Sequence, residues 1–219
     1  MDTEKVGTKT ATYKVAVLGA TGKVGKHFIS QALDRGYSLR ALVRNPAKLE
    51  PSEHPRLEAV VGDATKLEDV TKLVTGVDVV VSCLGNVGKV HIMTLSFENI
   101  LTAAAKQEKM PRCLFITSIG CGGSSWIVKQ LLMLIGGRAG FQDYDRADSR
   151  VLNELKVPCV LVRPAALNDK EGTGKYKVSE KDGTFARPIP RADVAKFLVD
   201  AVSDERWDRK QGIQLSGKQ

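Results

Sequence analysis

Apolar and polar positions along this chain follow two rhythms. Short continuous apolar runs have the length and composition of strands buried on both faces: Val15-Ala16-Val17-Leu18, Ala59-Val60-Val61, Val79-Val80-Val81, Cys113-Leu114-Phe115-Ile116 and Val160-Leu161-Val162. Between them, apolar residues recur every three or four positions. Val24, Phe28, Ile29, Ala32 and Leu33 mark one helix, Leu67 to Val74 a short one, and Ile92, Leu95, Ile100, Leu101 and Ala104 a longer one. Ser38–Val43 and Ile213–Leu215 read as further strands, Asp148 to Leu155 as a helix, and Val194, Phe197, Leu198, Ala201 and Val202 as the last helix. Strand and helix alternate throughout, which predicts an α/β fold: one doubly wound domain whose mainly parallel sheet is covered on both faces. Residues 1–12 are polar and are expected to form a flexible N-terminal tail, with the domain running over 13–219; no internal repeat or interdomain linker stands out.

One stretch breaks the rhythm. From Cys121 to Gln142 the chain passes Gly122-Gly123-Ser124-Ser125, two apolar runs (Trp126-Ile127-Val128 and Leu131-Leu132-Met133-Leu134-Ile135) and Gly136-Gly137. Glycines at both ends suit the hinges of a lid, and the same pattern suits a helix packed on the core. Gly172 to Gly183 reads as a polar, Lys-rich loop on the same side of the sheet.

The first strand runs straight into Gly19-Ala20-Thr21-Gly22-Lys23-Val24-Gly25, and a helix follows at once. Strand, glycine turn and helix in that order make a dinucleotide site of what is otherwise a weak motif. The turn bends sharply and lets a pyrophosphate approach where a Cβ would collide, and unpaired N–H groups at the helix start bind its oxygens. Gly19, Thr21, Gly22, Lys23 and Val24 are the candidate phosphate-side residues; the alternative is a turn that binds nothing. At the end of the second strand stands Arg44, with Lys48 nearby and no Asp or Glu from Tyr37 to Lys48. A carboxylate there would hold the 2′-hydroxyl of NAD, whereas a guanidinium suits the 2′-phosphate of NADP. The expected cofactor is NADP (NADPH), with NAD possible, unless Arg44 and Lys48 are merely solvated charges. Past the third strand, Asp63 can accept from an adenine amino group while the N–H of Ala64 serves a ring nitrogen. Past the fourth, Leu84, Gly85 and Asn86 allow the chain to pass close to a cofactor. These strand ends form one crevice at the carboxyl edge of the sheet, where open α/β sheets bind ligands.

Composition narrows the partners. The net charge of +8 favours anionic ligands, but the cations are scattered, aromatics are sparse and no long basic block appears. An anionic cofactor and a small anionic or aromatic acceptor account for the balance; nucleic acid is not expected. Arg138, Arg146 and Arg150 either draw in such an acceptor or are solvated. Cys83, Cys113, Cys121 and Cys159 lack metal-ligand spacing and read as reduced core residues, and His27, His54 and His91 suggest no metal site. No secretory signal is seen and the strongest apolar stretch is too short to span a bilayer. A cytoplasmic protein is expected, a monomer or weak oligomer with a protein partner possible.

These features together resemble the atypical short-chain dehydrogenase/reductase superfamily with its NAD(P)H-binding, NmrA-like members, and within it the flavin reductase/biliverdin-IXβ reductase-like group. The resemblance runs from Lys14 onward, on the glycine turn, Leu42-Val43-Arg44 with Lys48, Val61-Gly62-Asp63, Cys83-Leu84-Gly85, Thr117-Ser118, Arg163-Pro164, Gly172-Thr173-Gly174-Lys175-Tyr176 and Arg191-Ala192-Asp193-Val194-Ala195. It implies a Rossmann domain, a cofactor that also meets Pro164 and Ala165, and hydride transfer to a flavin, quinone or tetrapyrrole-like acceptor. Ser118 is the candidate catalytic residue beside the nicotinamide; a strand-end serine satisfying a turn is the alternative. Two departures matter. No Tyr is followed four residues later by Lys: Tyr144 is followed by Asp148, and an acid there opposes ionisation of a phenol instead of favouring it. Where the group places a His shortly after Pro164, this chain has Ala165-Ala166. Alcohol dehydrogenation, epimerisation and sugar dehydration are therefore not expected, and tetrapyrrole reduction less so than flavin or quinone reduction. The competing reading is a catalytically silent NADP(H)-binding regulator or accessory subunit, as among NmrA-like proteins, acting through protein partners.

Overall fold

The computed structural model describes residues 12–85, 92–122, 129–130, 133–134, 138–154, 156–180, 186–208 and 212–218. Eight strands form the main sheet: β1 (Lys14–Leu18), β2 (Ser38–Val43), β3 (Leu57–Val61), β4 (Val79–Ser82), β5 (Arg112–Ile116), β6 (Cys159–Pro164), β8 (Tyr176–Ser179) and β10 (Ile213–Gly217). Their spatial order is β3-β2-β1-β4-β5-β6-β10-β8, all neighbours parallel except β10 with β8. A pair of two-residue strands, β7 (Leu167–Asn168) and β9 (Ile189–Pro190), forms a separate ribbon.

Alternation along each strand divides the core in two. Val15, Val17, Val79, Val81, Leu114, Val160 and Val162 face one side, where α1 (Lys23–Asp34) and the last helix (Arg191–Ala201) cover them with Phe28, Ile29, Phe197 and Leu198. Ala16, Leu18, Val80, Cys113, Phe115 and Leu161 face the other. There they meet α2 (Leu67–Val74), α3 (Met93–Ala105) and α4 (Arg138–Leu152); the last helix is α5. Burial on both faces explains why the central strands read as unbroken apolar runs. The expected doubly wound Rossmann architecture is present.

Two expectations change. The helix expected over Asp148 to Leu155 begins at Arg138 and ends at Leu152. Its buried face includes Asp143 and Asp148 beside Phe141, Ala147 and Val151, so the apolar period is broken by two inward carboxylates. The Gly172–Gly183 loop contains β8, a polar strand hidden from an apolar-pattern search because it lies on the sheet edge. Half of the irregular 121–142 segment, and residues 1–11, lie outside the described residues. Within that segment Lys129 donates to Asp145, and Leu134 is 83% exposed. Among the described residues no helix is long and apolar enough to cross a membrane. All four cysteines are free and buried.

Candidate cofactor-binding site

At the carboxyl end of β1 three glycines do three different jobs. Gly19 has φ +78°, and a Cβ there would meet the backbone of Cys83 and Leu84 at 2.7–2.8 Å, so the turn lies directly against the end of β4. Gly25, buried in α1, faces the carbonyl of Gly19, and any Cβ would collide with it. Gly22 is different. It caps α1 in extended conformation, is exposed, and a Cβ would meet only the Gly19 carbonyl at 3.2 Å. No side chain caps α1 and no acidic residue lies in its first turn, so its N–H groups are left to solvent or an anion. Thr21 and Lys23 are exposed beside them, whereas the Val24 side chain is 8% exposed and belongs to the core, leaving only its N–H for binding.

At the β2 and β3 ends, Arg44 and Lys48 are exposed, and Lys48 closes a short 3₁₀ turn begun by the Asn45 cap. Asp63 is fixed in a tight turn: its Oδ1 accepts from the Thr65 N–H at 2.9 Å and the Thr65 hydroxyl at 2.8 Å. The bond from the Thr65 backbone, opposed by partial burial and aided by the Thr65 hydroxyl, Arg44 and Lys66, holds the Asp63 carboxyl below its ordinary range. Its N–H is donated to Asp69 Oδ2 at 3.0 Å, and Asp69 occupies the space a Cβ on Gly62 would need. The Ala64 carbonyl accepts from Asn99 at 3.0 Å. Asp69 and Asn99 thus set this turn, and no spacing in the sequence marks either of them.

Leu84 and Gly85 are half-buried at the β4 end, and Asn86 lies outside the described residues. The Cys83 thiol is pushed up to about 12 by burial, which keeps it protonated and inert. Ser118 is half-buried just beyond β5, and its carbonyl accepts from the Cys121 N–H at 3.4 Å. A Cβ on Gly85 would lie 3.4 Å from the Tyr144 hydroxyl, so α4 reaches the same corner. Pro164 and Ala165 are tied into the sheet: the Pro164 carbonyl accepts from Ile119 at 3.3 Å and the Ala165 N–H goes to Leu215 at 2.8 Å. Ala165 is 3% exposed, and its neighbour Ala166 is the one that reaches the surface.

Beneath Ser118 lies a buried ion pair. Asp148 Oδ1 accepts from Arg163 Nη2 at 2.7 Å, and its Oδ2 accepts from Arg163 Nε at 2.9 Å and from the Thr117 hydroxyl at 2.8 Å. The two side chains are 0% and 4% exposed. Asp148 therefore does not act on Tyr144 as a bare charge; it is matched by a cation from β6. Arg163 in turn fills the spaces beside Gly122 and Gly212, both at positive φ. The pair joins α4, β5 and β6 immediately under the candidate catalytic residue. Of the candidate acceptor-side cations, Arg150 pairs with Glu154 at 3.3 Å and Arg146 is exposed on α4.

A second ionic cluster closes the front of the turn. Asp169, two residues past β7's start, accepts from Lys23 Nζ at 2.7 Å and from Arg191 at 2.5 Å. Four residues on from Asp169, the N–H groups of Thr173 (3.2 Å) and Gly174 (2.8 Å) donate to the buried Asp193. Residues 167–175 are thereby held against the starts of α1 and α5.

An uncharacterised chloroplastic protein of Arabidopsis thaliana is 27% identical over 207 residues, covering 89% of this chain and 73% of that one. With several other curated relatives the match takes in a third or less of the relative's length. A short-chain dehydrogenase/reductase of Veillonella parvula, solved in complex with NADP, superposes with a TM-score of 0.79 at 16% identity, covering 94% of each chain. An anaerobilin reductase of Escherichia coli superposes with a TM-score of 0.74 at 22% identity, covering 93% of this chain and 96% of that one. The profile described as NAD(P)H-binding matches residues 19–205, and the resemblance to atypical short-chain dehydrogenase/reductases holds. The chain belongs to the NAD(P)H-binding family.

Proposed function

We propose that this protein is an NADPH-dependent reductase that delivers hydride to a flavin, quinone or tetrapyrrole-like acceptor. One observation carries the choice: the turn after β1 excludes a side chain at Gly19 and Gly25, yet the position four residues after Tyr144 holds Asp148, locked to Arg163. A site without a Tyr–Lys pair suits acceptors that need alignment more than a strong acid. The NADP complex of one structural neighbour and the anaerobilin reduction named for another support the same reading.

In this reading the N–H groups at the start of α1 hold the pyrophosphate, Arg44 and Lys48 the 2′-phosphate, and the Asp63 carboxylate with the Ala64 N–H the adenine. Gly85 lets the chain pass close to the nicotinamide, and the Ser118 hydroxyl donates a hydrogen bond to the carboxamide or to the acceptor. The bound NADPH supplies the hydride. The chain's own task is to hold the two rings face to face and exclude water.

The test is NADPH oxidation assayed with FMN, riboflavin, quinones and biliverdin. Saturable turnover with at least one acceptor is expected. Ser118→Ala should lower turnover about tenfold with little change in NADPH affinity, because one neutral hydrogen bond is lost. Tight NADPH binding without turnover on any acceptor would replace this reading with the silent regulator.

A further inference from the structure

Lys23 opens α1 inside the glycine turn, and Arg191 opens α5. The two side chains do not point freely into solvent; both converge on Asp169. The carboxyl of Asp169 is held below its ordinary range, first by the hydrogen bond from Lys23. What Asp169 belongs to gives the contact its meaning. The chain leaves β6 at Pro164 and reaches Lys23 by residue 169, although β6 and β1 are separated by β5 and β4. At the usual spacing of neighbouring strands that is a crossing of about 14 Å. The segment therefore bridges the width over which a dinucleotide would lie, and Asp193 pins its far end through Thr173 and Gly174.

We infer that Asp169 is a clasp: by holding Lys23 and Arg191 it keeps residues 167–175 closed at the phosphate end of the cleft, and so slows the departure of a bound dinucleotide. The inference rests on reading Gly19–Val24 as the phosphate turn. Its strength follows from exposure. Lys23 and Asp169 are 68% and 59% exposed, so water and salt reach the contact and the clasp opens readily. The Arg191 side chain is 20% exposed, which makes it the firmer of the two anchors. Exposed ion pairs of this kind each change an equilibrium about twofold to fivefold. That is a clasp that sets a rate, not a lock that forbids release.

Dissociation is read by stopped flow, from the loss of NADPH fluorescence on mixing the complex with excess NADP. Asp169→Asn, which keeps the shape and removes the charge, should speed release about threefold to tenfold. Release should speed up with salt in both proteins, through the phosphate contacts, but more steeply in wild type than in Asp169→Asn. The double variant of Asp169→Asn with Lys23→Gln should be less than additive, since both remove one contact. Without any cofactor, amide exchange across 167–175 should be faster in Asp169→Asn than in wild type. If Asp169 instead competes with phosphate for the two cations, Asp169→Asn will bind NADPH more tightly, and the clasp is overturned. Unchanged release in Asp169→Asn, with wild-type binding intact, overturns the clasp alone. A wild type that binds no nicotinamide dinucleotide overturns the cofactor reading and the clasp with it.

Discussion

Replacing Arg163 by Met should unfold the protein about 10 °C earlier, and the size of that effect follows from three contacts. Asp148 is 0% exposed and receives two hydrogen bonds from Arg163 and one from Thr117. Removing the guanidinium leaves a carboxylate in the core with the Thr117 hydroxyl and no counter-charge. Breaking one side of a buried pair typically costs about 3–5 kcal/mol. For a domain of this size each kcal/mol lowers the melting temperature by about 2–4 °C. Asp148→Leu alone should be about as damaging, because it removes the buried carboxylate that offsets the Arg163 charge. The double variant, Asp148→Leu with Arg163→Met, should recover most of the loss, since an apolar pair of similar volume carries no desolvation penalty. Thermal and denaturant melts of the four proteins give the coupling energy. A glycine supplies an internal control: Gly212→Ala places a Cβ against the Arg163 guanidinium, so its cost should shrink in the Arg163→Met background. Single variants that lose under about 1 kcal/mol, or losses that simply add, would refute the argument that this pair binds α4 to the sheet.

The glycine turn makes a sharper distinction. Gly22→Val should leave a folded protein that no longer binds NADPH, whereas Gly25→Val should lose stability outright because its side chain meets the Gly19 carbonyl; melting curves beside a fluorescence titration separate the two. Arg44→Ala should reduce the preference for NADPH over NADH about tenfold or more, as one charge-assisted phosphate bond is lost, and calorimetry showing equal affinities in wild type would remove the assignment. Stability should fall on acidification from about pH 5 towards 2. Asp63 and Asp204 have depressed carboxyls in the folded state, Asp204 down to about 2 through the Arg206 hydrogen bond, so their contribution is full above the unfolded value and is lost as pH drops through the folded one. A melting temperature flat across that window would contradict it.

Strands with both faces buried announce themselves, which is why β1, β4, β5 and β6 were legible without coordinates: every residue of Val79–Ser82, for example, is inside. The glycine turn was legible for a related reason, since Gly19 and Gly25 answer to backbone collisions that fix the residue type locally. Asp143 and Asp148 were not. A buried carboxylate looks like a surface residue until its partners are known, and those partners lie far off in sequence: Met93 and Thr94 for Asp143, Arg163 for Asp148. The contact between Lys23 and Asp169 spans 146 positions and leaves no periodic trace. Ala165 shows what a local motif leaves out: the β10 ladder, distant in sequence, takes its N–H and the core its side chain.

The position of β10 inside the sheet bears on how the chain emerges during synthesis. This strand inserts between β6 and β8, yet it follows both of them in the chain. Until it leaves the ribosome, β6 has an unpaired flank and β8 has no partner in the sheet at all. Arg112 waits as well: its guanidinium binds the carbonyls of Ala201, Val202 and Asp204 and the carboxylate of Asp208, all late residues. The half of the molecule from β1 to β4 can pair as it appears, whereas the half from β6 to β8 must stay open until β10 has been made. Non-local pairing of this sort is slow and leaves apolar strand edges exposed while it waits. The nascent chain is therefore most in need of a chaperone while it waits for β10, with the β1–β4 half already assembled.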